Sequence, residues 1–150
     1  MEEFIMTQES FDRLWARVQG AAPPAPRPED LLRRFLDETG ETLLLERQLA
    51  HVCGAPMVSV CRASRDRHLR LQTAYFLLTG CRAALPSVCS LREPPLCRLR
   101  KLWLAARARA AAYEEAAAEA EELRGLFQDL AASERVHADC LRAVITAMLG

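Results

Sequence analysis

The sequence predicts an all-α fold of four long helices, arranged as two helical hairpins joined by a long crossover, with an extra N-terminal helix. Almost every segment repeats its apolar side chains with the period of a helix, and no run alternates as a β-strand does. Glycines at Gly20, Gly54 and Gly80 divide the apolar runs into helix-sized pieces. The two halves of the chain also carry related patterns, which indicates that the hairpins are similar units.

Residues 1–27 are predicted to hold the N-terminal helix and a linker, and residues 28–150 the four-helix bundle. The N-terminal helix covers Phe11 to Gln19, with Ser10 as its N-cap. Its apolar stripe consists of Phe11, Leu14, Trp15 and Val18. The next segment is rich in proline and is therefore predicted to be an extended linker. We expect the helix to pack on the bundle.

The first hairpin begins at Pro28, where a proline and two acids suit the positive end of a helix dipole. Its first helix stops before Gly54, and its second runs from about Pro56 to Leu78. Gly40 lies inside the first helix and is expected to weaken it by about 1 kcal/mol relative to alanine.

The crossover is predicted at residues 81–95, which contain three prolines. The third helix of the bundle starts near Leu96, and the fourth covers Leu123 to Met148. No glycine or proline separates these two helices, so local propensity alone allows one helix of about fifty residues. Since a single domain of this size cannot easily bury so long a helix, we predict a tight turn at 118–122.

Charge and hydropathy exclude several classes of function. Lys+Arg and Asp+Glu both total 20, so no net charge favours nucleic acid or an acidic membrane. No segment approaches the roughly 20 apolar residues of a membrane span. The first residues are acidic, whereas a signal peptide begins with basic residues. These observations predict a cytoplasmic protein.

Cysteine is frequent for a cytosolic protein, but none of the six residues forms the CxxC pair of a strong zinc site. The cysteines are Cys53, Cys61, Cys81, Cys89, Cys97 and Cys140. Several lie eight residues apart, which turns them by about 80° around a helix and does not align their thiols. We interpret them as small buried hydrophobic side chains, with incidental disulfides left open in the irregular segment Cys81–Cys97.

The strongest functional signal is the pair Glu134 and His137 in the last helix. Side chains at this spacing share one face of a helix, so both can reach a single point in a bundle core. The repeated landmarks, Leu49-Ala50 with Ala116-Ala117 and His68 with His137, lie 67 and 69 residues apart. In the first half, Arg65 stands where the glutamate of a second pair is expected.

Further segments carry the pattern of one known family. They are Tyr113, Ala117, Leu123–Ala131, Glu134 and His137-Ala138, together with Tyr75–Gly80 and Leu14–Val18. The chain resembles the ferritin-like superfamily on its rubrerythrin side, loosely over 28–149 and specifically in the C-terminal segment and Tyr75–Gly80. The resemblance implies a ferritin-like four-helix bundle with a core site at which iron reacts with oxygen or peroxide.

The same resemblance implies a di-iron site built from two Glu–His pairs and one glutamate from each of the other two helices. Glu134, His137 and His68 match three of these ligands. The positions that lack a carboxylate hold Arg65, Thr39 and Ala106. Glu38 and Glu41 flank Thr39, which leaves the register of that helix open. A shift of one or two residues, however, turns a side chain by about 100° or 200°, away from the site.

Removing three carboxylates and adding a guanidinium reverses the electrostatics that iron needs, because ferrous ions favour anionic oxygen ligands. Arginine stays protonated in proteins and cannot neutralise itself to admit a metal. We therefore predict that Arg65 takes the place of the metal and forms a buried ion pair with Glu134, in a network that also includes Glu46 and Arg109. A simpler interpretation leaves Arg65 and Glu134 in solvent beside the core.

The preferred functional hypothesis is a non-catalytic ferritin-like bundle with a degenerate di-iron site, which acts as a binding or assembly module without a cofactor. The alternative is a redox or peroxide-handling protein that binds iron, manganese or zinc at His68, Glu134 and His137. We expect no nucleic-acid or membrane partner. A homodimer is compatible with the pattern, and no sequence feature identifies another protein partner.

Overall fold

The computed structural model describes residues 7–20, 26–87 and 92–150, and this part of the chain is all-helical, without a strand. Five α-helices follow one another along it: α1 (Gln8–Gln19), α2 (Pro28–Cys53), α3 (Ala55–Thr79), α4 (Pro95–Glu119) and α5 (Arg124–Leu149). None of the helices within these ranges is both long enough and apolar enough to cross a membrane.

Helix α1 begins three residues earlier than the sequence analysis predicts, because Thr7 rather than Ser10 caps it. The Thr7 hydroxyl accepts the backbone N–H of Ser10 at 3.2 Å, which is the usual N-cap hydrogen bond. Phe11, Leu14 and Trp15 are 46%, 49% and 50% exposed. Three of the four side chains that were expected to pack on the bundle are therefore uncovered, and the fourth, Val18, lies outside the described side chains.

The hairpin of α2 and α3 turns at Gly54, whose φ of 75° lies in the region that favours glycine. Its N–H donates to the carbonyl of Ala50 at the end of α2. Gly80 closes α3 in the same way, with a φ of 73° and an N–H that donates to Phe76. The predicted ends of both helices agree with the structure to within one residue.

The hairpin of α4 and α5 turns where the sequence contains neither glycine nor proline. Ala120 leaves the helical conformation, with φ −114° and ψ 91°, and one turn of 3₁₀-helix (Glu121–Leu123) leads into α5. Ala120 is itself buried, so core packing fixes the position of this break. The turn predicted at 118–122 is confirmed.

The tightest helix packing joins α2 to α3 and α4 to α5, and the two hairpins then share one core. One apolar cluster draws on all four helices near the start of α2 and the end of α4, with Phe35, Leu71, Tyr113 and Phe127 at its centre. A second apolar cluster lies toward the other end of the bundle, around Leu49, Met57, Leu99 and Leu141. The polar side chains between these two clusters form the candidate site.

The connection between the hairpins crosses α2 at Gly40. A Cβ atom at this position would lie 2.9 Å from Cδ of Pro86 and 3.2 Å from Cε1 of His68. Such distances are too short for ordinary van der Waals contact, so only glycine lets the crossover approach the helix here. The helix propensity lost at Gly40 is the cost of this close approach.

Candidate functional site

The centre of the bundle contains a layer of buried polar side chains between the two apolar clusters. Its nine members are Thr39, Thr42, Glu46, Ser64, Arg67, His68, Arg109, Glu134 and His137. We call this set the ionic layer. Buried charges are costly unless they are paired and hydrogen-bonded, so the partners of each charge decide what the layer can do.

Glu134 on α5 lies at the centre of the ionic layer and holds two guanidinium groups. Its Oε1 lies 2.9 Å from Nε of Arg109 and 3.2 Å from Nε of Arg67. Its Oε2 accepts a longer hydrogen bond of 3.5 Å from Nη2 of Arg109. Because all three side chains are at least 95% buried, water screens these interactions little.

Both arginines also donate to hydroxyl groups, within their own helix or on a neighbouring one. Arg67 donates from Nη2 to Ser64 at 3.0 Å and from Nη1 to Ser133 at 3.1 Å. Arg109 donates from Nη1 to Thr42 on α2 at 3.2 Å. Burial alone would lower the pKa of Arg109, but the charge of Glu134 and its hydrogen bonds outweigh it and raise the pKa overall.

A second carboxylate, Glu46 on α2, pairs with His137 on α5. Oε1 of Glu46 lies 2.6 Å from Nε2 of His137, and both side chains are almost completely buried. The Ser64 hydroxyl lies 3.4 Å from the same ring nitrogen. The pair joins the two hairpins by a short contact, which is charge-assisted because the acceptor is a carboxylate.

His68 takes part in the layer through Thr39 rather than through an acid. The Thr39 hydroxyl donates to the carbonyl of Phe35 at 2.7 Å, so it is free to accept from Nδ1 of His68 at 2.8 Å. This arrangement assigns the proton of the neutral ring to Nδ1. Burial, with a smaller contribution from Arg47, lowers the pKa of His68, which favours the neutral ring.

Four polar atoms in this region have no hydrogen-bond partner among the described residues. They are Oε2 of Glu46, Nε2 of His68, Nδ1 of His137 and the hydroxyl of Tyr113. Tyr113 packs its ring against Phe35, with centroids 4.3 Å apart. Burial raises its pKa, and the negative charge of Glu134 adds to this effect. The phenol therefore stays protonated.

The charges of the ionic layer balance without an added ion. Arg67 and Arg109 supply two positive charges, and Glu46 and Glu134 supply two negative charges. The two arginine salt bridges of Glu134 and the Glu46–His137 contact each have one member on α5, with partners on α2, α3 and α4. The layer can thus hold the hairpins together by its own charges.

Arg65 does not belong to this site. It lies on the exposed face of α3, and Arg67 supplies the guanidinium that was expected from it. The predicted pair of Arg65 and Glu134 is therefore corrected to Arg67 and Glu134. Arg109, which was expected in the same network, contacts Glu134, whereas Glu46 contacts His137 instead of an arginine.

The burial pattern of α3 explains why Arg67, and not Arg65, reaches Glu134. The buried positions of α3 and α5 match at an offset of 70 residues, and these pairs are Met57 with Phe127, Val60 with Leu130, Ser64 with Glu134, Arg67 with His137, and Leu71 with Leu141. Aligning the two histidines at an offset of 69 shifted the comparison by one residue, or about 100° of helix rotation. The spacing of Val60, Ser64, Arg67 and Leu71 is the signal that could have found Arg67.

Helices α2 and α4 show a similar correspondence. Their buried positions match at an offset of 67 residues, and the polar pairs are Thr39 with Ala106, Thr42 with Arg109, and Glu46 with Tyr113. Glu41 is exposed and Glu38 is partly exposed, so neither supplies the missing carboxylate. Thr39 and Ala106 stand at the two positions where the resemblance implies one glutamate each, and both are buried and uncharged.

The three residues of the metal-binding alternative have separate partners. Glu134 is held by two arginines, His137 contacts Glu46, and His68 contacts Thr39. Over residues 7–20, 26–87 and 92–150, no group of three or more His, Cys, Asp or Glu side chains is arranged to hold a metal ion. The five cysteines in these ranges are free and none is fully buried, which corrects their interpretation as core residues. Cys89 lies outside the described residues.

Comparisons with known proteins identify no relative: no protein-family model matches the chain, and no curated protein or solved structure is significantly similar to it. A function for this protein must therefore be inferred from its fold and from the contacts of the ionic layer.

Proposed function

We propose that the protein is a ferritin-like four-helix bundle in which a self-neutralising ionic layer has replaced a di-iron site, and that it acts as a non-catalytic binding or assembly module. The class of protein is an α-helical scaffold whose centre holds charges instead of a cofactor. Neither a substrate nor a resident metal is part of this proposal.

The observation that supports it is the double guanidinium contact of Glu134. A carboxylate in a metal centre uses its oxygens to neutralise the ion. Here the guanidinium groups of Arg67 and Arg109 stand where the ion would be, with their Nε atoms 3.2 and 2.9 Å from the same carboxylate oxygen. Because arginine does not lose its proton in proteins, a cation entering the layer would meet two fixed positive charges.

The orphaned atoms of the layer support one second candidate, a metal-binding redox protein that uses iron, manganese or zinc. Nε2 of His68 and Nδ1 of His137 are buried nitrogen donors without a partner among the described residues, and both suit these metals. Oε2 of Glu46 is a buried carboxylate oxygen that also has no hydrogen-bond partner among the described residues. Metal binding at these atoms requires the guanidinium groups to move away.

Metal content decides between the two candidates. Protein expressed in medium rich in iron, manganese and zinc is measured by plasma mass spectrometry beside the Glu134→Ala and His137→Ala variants. The proposal expects metal far below one ion per chain in all three. Near-stoichiometric metal in the natural chain that is lost in both variants would overturn it.

Restoring the missing ligands gives the converse test. The triple variant Ser64→Glu/Arg67→His/Arg109→Thr recreates the second Glu–His pair at the buried positions and removes both guanidinium groups. We expect it to bind iron or manganese. Arg65→Glu is the matched control, since it adds a carboxylate one residue away on the exposed face and is expected to bind none. Metal uptake by Arg65→Glu would contradict the assigned register.

A further inference from the structure

Helix α1 has an apolar face that the described part of the chain leaves half exposed. Phe11, Leu14 and Trp15 lie on one side of the helix, and each is about half exposed. The rings of Phe11 and Trp15 stack with centroids 5.9 Å apart, which joins them into one continuous surface. An amphipathic helix with this face has little stability alone and gains it by docking in a groove.

The sparse contact between α2 and α4 leaves a groove of the right kind on the side of the bundle. It is a cleft of about 480 Å³, whose α4 wall carries Ala105, Ala108 and Ala112 and whose α2 wall carries Arg34, Glu38 and Leu45. The alanines leave room for large side chains. Thr42 and Arg109 of the ionic layer also line this groove, so it is the side on which the layer approaches solvent.

The tether between α1 and α2 ends at this groove. Pro26, two residues before the start of α2, lines a second cleft. This cleft shares Arg34 and Ala112 with the α2–α4 groove. From Lys101 to Glu119 the α4 wall is about 27 Å long, whereas the twelve residues of α1 span about 18 Å. The seven residues from Gly20 to Pro26 reach at most about 25 Å. The helix can therefore fold back along the groove of its own chain.

The charges of α1 and of the groove are complementary where the tether meets the groove. Near Pro26 the groove is lined by the acids Asp30, Glu115 and Glu119, beside Arg34. Because the C-terminal end of α1 leads into the tether, Arg17 would lie near these acids. At the other end Lys101 already pairs with Glu93, and Glu9 of α1 pairs with Arg13, so the complementarity rests on the end near Pro26.

We propose that α1 docks into the α2–α4 groove of the same chain, antiparallel to α2, with Phe11 and Trp15 over the alanine wall. In that position α1 covers the side on which Arg109 and Thr42 approach solvent. The N-terminal helix is then a cover over the ionic layer, tethered by the proline-rich linker.

Photo-cross-linking tests this arrangement in the full-length protein. p-Benzoylphenylalanine is placed at position 11, the sample is irradiated, and cross-linked peptides are mapped by mass spectrometry. We expect cross-links to residues 105–112 of α4. The same probe at position 76, an equally exposed phenylalanine on α3, is expected to give none there. A mixture of ¹⁴N- and ¹⁵N-labelled chains shows whether each cross-link joins one chain or two.

Two alanine substitutions make the test specific to the groove. Ala108→Lys fills the alanine wall and is expected to abolish the cross-link, whereas Ala111→Lys lies exposed on another side of α4 and is expected to leave it intact. Circular dichroism of both variants checks that the helices remain folded. Cross-links between chains would assign α1 to a second copy, and cross-links only outside the groove would place it elsewhere. Either result overturns the proposal.

Discussion

The two hairpins place different residues at equivalent buried positions. The first hairpin contributes Thr42 and Arg67 where the second contributes Arg109 and His137. In a symmetric metal site, equivalent positions carry the same ligands because both halves face the same ions. Here they carry complementary groups, and Glu134 of the second hairpin binds Arg67 of the first. The difference shows how two hairpins with matching burial patterns bind each other directly through complementary charges.

Removal of Glu134 is expected to weaken the association of the two hairpins more than any other substitution proposed below. Glu134→Ala leaves the guanidinium groups of Arg67 and Arg109 buried without a counter-charge, so we expect a loss of about 3–5 kcal/mol in the free energy of unfolding. Urea denaturation measures it. Glu114→Ala, which removes an acid paired with Arg135 at the surface, is the control and should cost at most about 1 kcal/mol. Equal losses would mean that the ionic layer is open to water.

The contribution of the first hairpin is sharpened by comparing two nearby arginines. Arg67→Met removes one of the two guanidinium partners of Glu134, and we expect a loss of about 2–3 kcal/mol because Arg109 remains. Arg65→Met changes an exposed side chain and should alter the free energy of unfolding by no more than about 0.5 kcal/mol. If the two variants lose the same stability, the assignment of Arg67 to the site fails.

The smallest expected effect is on the way the free energy of unfolding depends on pH. Since burial lowers the pKa of His68 in the folded protein below its ordinary value of 6.5, the unfolded chain binds the proton first as the pH falls. The contribution of neutral His68 is complete above that pH and is lost progressively as the pH falls toward the folded-state pKa. His68→Gln should therefore lose less stability than the natural chain between pH 7.5 and 5.5, a range of about two units around the ordinary pKa. His51→Gln, at an exposed position, should lose as much as the natural chain.

The sequence was sufficient for the order of the helices and for the ends of α2 and α3, because Pro28, Gly54 and Gly80 mark them by local stereochemistry. Thr39, which the resemblance placed at a ligand position, is buried on α2, and Glu46 is buried in the same layer. The sequence prediction failed at Arg67, since matching two histidines took precedence over the burial period of α3. The partners of His137 and His68 could not be predicted, because they depend on the way the hairpins dock in three dimensions.

The contacts of the ionic layer join residues that are far apart along the chain. Glu46 and His137 are separated by 91 residues, and Thr42 and Arg109 by 67. Each hairpin can form from its own local contacts, whereas these bonds require both hairpins to be in place. Interactions that are absent from the folding transition state act on the unfolding rate rather than on the folding rate. The layer should therefore act as a kinetic barrier that keeps the two hairpins from separating once they have met.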